Sequence, residues 1–187
     1  MAFGVELVVG WVAALIVTGF LLYFVLTFNS LVSLRNEVRR AWANIDVLLK
    51  QRNDELLNLV STVKGYMKHE QELLEGITRA RVAMLSAQSL ADKAKADYEL
   101  SSSLKSLFAV AENYPQLRAT ENFKQLQDRI SGLENEIADR REFYNSCVAN
   151  FNARIQSIPD IMVARLLAFK PEEMFKAEKE EKTVPPA

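Results

Sequence analysis

The hydrophobic positions of this chain form one unbroken run followed by a series of stripes. Residues 7–28 hold no charged side chain and no proline, which is long and apolar enough for a membrane-spanning helix. From Leu31 the pattern changes to a one-sided one: Leu31, Leu34, Val38, Ala41, Ile45 and Leu48 recur in steps of three and four. That spacing puts them on one helix face. Nothing between the run and residue 64 breaks a helix, so the span and the stripe are predicted to be one element. Gly65, the first glycine after the span, is expected to end it as a C′ residue.

Three further helices are predicted. The second runs from about residue 68 to 87, with Leu73, Leu74, Ile77, Ala80, Met84 and Leu85 on its inner side. A polar patch over residues 86–92 separates it weakly from a third, about 91–112, which carries Leu100, Leu104, Leu107, Phe108 and Ala111. Tyr114-Pro115 is the clearest break, because the residue before proline is driven out of the α region. The fourth helix, about 116–157, has the longest seam. Phe123, Leu126, Ile130, Leu133, Ile137, Arg140, Tyr144, Cys147, Phe151, Arg154 and Ile158 follow one another three and four apart, as in a coiled coil. Short links make successive helices antiparallel. The fold expected is all-α, an N-terminal transmembrane helix continuing into an antiparallel up-and-down four-helix bundle.

In that arrangement the fourth helix returns to the bilayer surface as it ends, and residues 158–175 follow. This short amphipathic segment offers Ile161, Met162, Leu166, Leu167 and Phe169 as candidate membrane or subunit contacts. One reading lays it in the membrane interface, apolar side down; the other packs it on the base of the bundle or on a neighbouring subunit. The domain layout is then an anchor over 1–28, a helical bundle over 29–157, the amphipathic segment over 158–175 and a charged, disordered tail over 176–187.

Composition narrows the function classes. Twenty-three Lys and Arg stand against 24 Asp and Glu, a net charge of -1. That is not the concentrated basic face of a nucleic-acid binder. A single cysteine, Cys147, and a single histidine, His69, supply neither a disulfide framework nor a soft metal-ligand set. Cys147 on the seam reads as a small buried hydrophobe, and His69, at the far end of the bundle, is no activating base for it. Trp42 reads as a core aromatic. Asn44, Asp46, Arg52, Asp54 and Asn58 form a polar ladder along the first helix, read as a solvated face or inter-helix salt bridges. No phosphate loop, metal motif or hydrolase elbow occurs. Neither catalysis nor a cofactor is expected. Only Glu6 carries charge before the span, whereas Arg35, Arg39 and Arg40 follow it. The positive-inside rule puts the N-terminus outside and the bundle in the cytoplasm.

Four stretches, residues 31–52, 58–70, 107–127 and 134–152, together resemble the LemA proteins of bacteria. They are LVSLRNEVRRAWANIDVLLKQR, NLVSTVKGYMKHE, LFAVAENYPQLRATENFKQLQ and ENEIADRREFYNSCVANFN. The resemblance implies an N-terminal membrane helix, a cytoplasmic helical bundle and the bacterial inner membrane, with no catalytic residues to carry over. One position departs from the family's pattern: Leu57 stands where a proline is usual, so no kink is expected there. The resulting expectation is a non-enzymatic single-pass scaffold or adaptor. The bilayer and either further copies of the chain or an unidentified protein are its partners. The alternative is a membrane-organising or lipid-binding protein that uses the C-terminal segment.

Overall fold

The structure, a computed structural model, describes residues 2–176, and these are helical with no strand. Six helices occur among them: α1 Ala2–Lys64, α2 Gln71–Ser86, α3 Leu90–Ala111, α4 Pro115–Ala119, α5 Glu121–Gln156 and α6 Asp160–Leu166. They belong to two compact units. One contains residues 2–40 and Ser146–Glu172; the other contains Ala41–Asn145 and 173–176. The tail expected over 176–187 lies outside the described residues except for Lys176.

In the first unit, the early part of α1 is apolar and uncovered. An 18-residue stretch has mean hydropathy 2.4 with none of it buried. Trp11, Leu15, Ile16 and Phe20 stand open on all sides of the helix. A helix apolar all round needs an apolar surrounding, so this is a candidate transmembrane helix. Burial begins at Thr27 and Leu31 and continues through Val38, while α5 contributes Val148, Phe151 and Ile155 to the same unit. Leu57 sits inside unbroken helix, as the missing proline allows.

The second unit has its own core. Leu56, Leu59 and Val63 of α1 meet Leu74, Ile77 and Ala80 of α2, Leu100, Leu104 and Leu107 of α3, Leu117 of α4 and Phe123, Leu126 and Ile130 of α5. Each set repeats every three or four residues, which is why one helix face is dry. Met67, just past the end of α1, is also buried there.

Several boundaries have local causes. The α1 end is closed by the Tyr66 and Met67 amides, both bonded to the Val63 carbonyl at 2.9 Å. Gly65 takes no left-handed conformation, so the expected C′ role is not the mechanism. The polar patch before α3 is a sharp boundary. Ser89 Oγ accepts from the Asp92 amide at 3.0 Å and donates to the Asp92 carboxylate at 2.6 Å, a side-chain N-cap whose hydroxyl is held by the acid of the first turn. Pro115 is the first residue of α4, where its missing N–H costs nothing. The single fourth helix expected from 116 to 157 is instead two. Thr120 is extended (ψ 130°) and its hydroxyl bonds back to the Leu117 carbonyl at 2.7 Å.

The seam of α5 departs from the expected heptad in its second half. Arg140, Arg154 and Ile158 are exposed, and Val148 and Ile155 are buried in their place. A straight α-helix drifts about 20° per heptad relative to a strict seven-residue repeat. The buried stripe therefore slides by one position, and the two arginines lie off it. On α2, Leu85 is 61% exposed, so the inner face ends at Met84.

Candidate functional site

Two constellations stand out, one in each unit. In the second unit, Arg52 of α1 is fully buried. Its Nη2 donates to Asp97 Oδ1 of α3 at 2.5 Å, and its Nη1 donates to Glu134 of α5 and to Ser101 Oγ at 3.2 Å. Ser101 Oγ donates to Glu134 Oε2 at 2.7 Å, and Arg141 Nη1 reaches Asp97 Oδ2 at 3.4 Å. Burial pushes the Asp97 carboxyl up from its ordinary value, while the guanidinium groups of Arg52 and Arg141 pull it back. Arg52 Nε, also buried, has no hydrogen-bond partner. An open groove of about 380 Å³ runs beside it, bounded by Tyr98, Ser102, Lys105 and Asn135. Asp97 of α3 and Glu134 of α5 thus share one guanidinium from α1, which ties the three helices together at this level.

The polar ladder of α1 thus splits. Arg52 is the centre of a buried cluster, and Asp46 is held by Lys50 at 2.8 Å and Lys93 of α3 at 2.6 Å. Those two ammonium groups, Lys50 first, hold its carboxyl below the usual value. Asn44, Asp54 and Asn58 face solvent. Trp42 is half-buried, with its ring 5.8 Å from Tyr144, 5.7 Å from Phe175 and 5.1 Å beneath the Lys93 ammonium. His69 is exposed. Among the described residues no group of three His, Cys, Asp or Glu could hold a metal ion.

The second constellation is the C-terminal segment of the first unit. Asp160, the first residue of α6, is buried. It accepts from Tyr23 Oη at 2.9 Å and Thr27 Oγ1 at 3.5 Å, and it pairs with Arg154. Val163 and Ala164 face inward beside it. The other side of α6 is bare: Met162 is 70% and Leu166 73% exposed, and Ile158, just before α6, is 87% exposed. α6 closes with Ala168 at φ 54°. The Ala168 amide bonds to the Arg165 carbonyl at 3.2 Å and the Phe169 amide to that of Ala164 at 2.9 Å. This pair of bonds is a Schellman motif with alanine where glycine is usual.

The five candidate contacts are therefore unequal. Met162 and Leu166 are open, and Leu167 is partly so at 39%. Ile161 is half-buried. Phe169 is half-buried, packed edge-on to Phe151 at 6.2 Å with the Arg35 guanidinium 5.9 Å from its ring. Ile158, which the heptad reading puts on the seam, is the most exposed of the group. It lies past the end of α5, at Gln156, and before α6 begins, so the helical spacing that put it on the seam does not reach it.

Beyond α6 the chain runs extended along α5, held by side-chain amides. In the first unit, Asn152 accepts from the Glu172 amide and donates to the Glu172 carbonyl, both at 2.9 Å. In the second, Asn145 does the same for Phe175 at 2.8 and 3.2 Å, and Tyr144 Oη donates to the Glu173 carbonyl at 2.9 Å. Phe175 is buried.

Comparison with known proteins adds three findings. The profile of the LemA family matches residues 41–187. Protein LemA of Metamycoplasma hominis is 29% identical over 163 residues, which cover 79% of this chain and 73% of that protein. Magnetosome protein MamQ 2 of Paramagnetospirillum magneticum is 23% identical, and Magnetosome protein MamQ of Magnetospirillum gryphiswaldense 21%. Each of those two alignments spans 190 positions, 88% of this chain and 70% of the relative.

Proposed function

We propose that this chain, which belongs to the LemA family, is a non-enzymatic single-pass membrane scaffold whose helical part holds further copies of itself or another protein at the bilayer. The carrying observation is that one helix, α1, supplies both an uncovered apolar span and a core-lining stripe. An element that is half anchor and half core makes the folded part a fixture of the membrane surface. Cationic Arg35, Arg39 and Arg40 after the span favour an N-terminus outside and the bundle in the cytoplasm, at the inner membrane of a bacterium. On this reading α1, α2, α3 and α5 form an antiparallel up-and-down four-helix bundle. Three pairs support it: Arg52 with Glu134, Glu55 with Arg129, and Thr62 with Asn122. Residue numbers rise along α1 as they fall along α5. The clamped state of Asp97 and Glu134 supports a structural role for the buried charges in place of a catalytic one.

The test is the mass of the full-length protein extracted gently from its native membrane, read by native mass spectrometry. A discrete multiple of the 21.2 kDa chain, or that chain bound stoichiometrically to another protein, is the expected result. A bare monomer under conditions that preserve known membrane complexes overturns the scaffold.

A further inference from the structure

We propose that the exposed apolar edge formed by Ile158, Met162 and Leu166 lies in the headgroup–acyl boundary of the bilayer that α1 crosses, giving the chain a second membrane contact beside its anchor. The depth argument comes from α1 itself. Asp160 is bonded to Tyr23 and Thr27, and both lie inside the apolar run that ends at Phe28. Tyr23 is five residues before that end, about 7–8 Å along the helix axis. Interfacial helices bury their apolar face about 5–10 Å into the same boundary. The start of α6 is therefore held at the depth where such a helix sits, level along α1 with Leu22, Val25 and Leu26, which are themselves 60%, 51% and 60% exposed.

Charge fits the same occupant. The one carboxylate taken to this depth, Asp160, is neutralised by Arg154 and bonded by two hydroxyls, as an ionisable group near lipid must be. Arg165 and Lys170 are exposed at the end of the segment, where long cationic side chains reach the headgroup layer and favour anionic lipid. Tyr23, half-buried with its hydroxyl bonded to Asp160, is a residue type at home in that belt. A second copy of the chain could cover Met162 and Leu166, but nothing in a protein partner accounts for the coincidence of depth with the end of the apolar run.

The inference rests on α1 crossing the bilayer, and the experiment separates the two. Nitroxide labels are placed on the full-length chain, with the buried Cys147 replaced by alanine. The sites are Met162→Cys, Leu166→Cys and Ile158→Cys, with Leu15→Cys for the span and Val82→Cys on α2 as a water-exposed control. Each chain is reconstituted in vesicles of phosphatidylcholine and phosphatidylglycerol. Collision with oxygen is then compared with collision with a nickel chelate. The expected result is oxygen dominance at 15, 158, 162 and 166 and chelate dominance at 82. Ile158 lies outside α6, so a label that disturbs α6 does not decide the outcome. Oxygen dominance at 15 with chelate dominance at 158, 162 and 166 overturns the second contact and leaves the anchor standing. Chelate dominance at 15 overturns the anchor, and the inference with it. Low access to both reagents at 158, 162 and 166 means a protein cover and also overturns the proposal.

Discussion

Replacing Arg52 by methionine tests whether the buried charge cluster aligns α1, α3 and α5. The substitution keeps an unbranched stem of four heavy atoms and removes the guanidinium with its charge and five donors. Asp97, 1% exposed, and Glu134 then lose the guanidinium between them, and Ser101 loses a donor. Breaking a buried ion pair from one side costs about 3–5 kcal/mol, because the other charge stays behind unpaired. Arg141, 3.4 Å from Asp97, keeps part of that charge compensated, so the lower end, about 3 kcal/mol, is expected. For a unit of roughly one hundred residues that is a fall in Tm of roughly 12–25 °C. The assay is thermal unfolding of the full-length protein in detergent, followed by Trp42 fluorescence with Trp11 changed to phenylalanine. Trp42 stands against Tyr144 and Phe175 of the same unit and reports its loss directly. A triple change, Arg52→Met with Asp97→Leu and Glu134→Leu, removes the Arg52 guanidinium together with both carboxylates it holds and is expected to recover most of the loss. A Tm within about 4 °C of the parent for Arg52→Met alone, under about 1 kcal/mol, refutes the reasoning.

Three other outcomes are expected. Asp46, held below its ordinary 3.8 by Lys50 and Lys93, contributes stability that is fully present above that value and lost as pH falls through the lower folded one. Asp46→Asn should therefore be less stable than the parent at neutral pH and converge with it in acid unfolding curves. Ala168→Gly relieves a left-handed alanine, which costs roughly 1–2 kcal/mol, and should slow hydrogen exchange of the Phe169 amide by about five-fold or more, one factor of ten per 1.4 kcal/mol. Burial, with the Glu37 carboxylate adding to it, pushes the Cys147 thiol up; it should resist a maleimide in the native protein and react at the rate of a free cysteine after unfolding.

What could be read in advance follows from range. The long α1, the end near residue 64 and the stop at Tyr114-Pro115 are local matters of period and turn chemistry. The Ser89 cap was also written in the chain, as Ser-x-x-Asp, inside a patch whose lack of glycine and proline made it look weak. The splitting of the fourth helix at Thr120 turns on one hydroxyl bonding back to Leu117, and threonine occurs in intact helices too often for the residue alone to signal it. Arg52 could not be told from Asp54 or Asn58 by pattern. Its burial depends on carboxylates 45 and 82 positions away in sequence. Ile158 leaves the expected seam because α5 ends at Gln156, two residues before it. Of the candidate contacts, Met162 and Leu166 needed only hydrophobicity to be noticed, whereas the inward turn of Phe169 required Phe151 and Arg35 to be in place.

The reciprocal amide bonds of Asn145 and Asn152 touch only the peptide groups of Phe175 and Glu172. A carboxamide that reads main chain is blind to the side chain it holds. Apart from Glu172, whose carboxylate also pairs with Arg35 at 3.4 Å, the run from Pro171 to Met174 is therefore free to be rewritten, within the allowed backbone, with little penalty to its docking. Phe175 alone must keep its bulk. The instructions for where the chain goes after α6 are stored in α5, 20 and 30 residues upstream, and exchanging the two asparagines for isosteric leucines should release a segment whose own sequence has not changed.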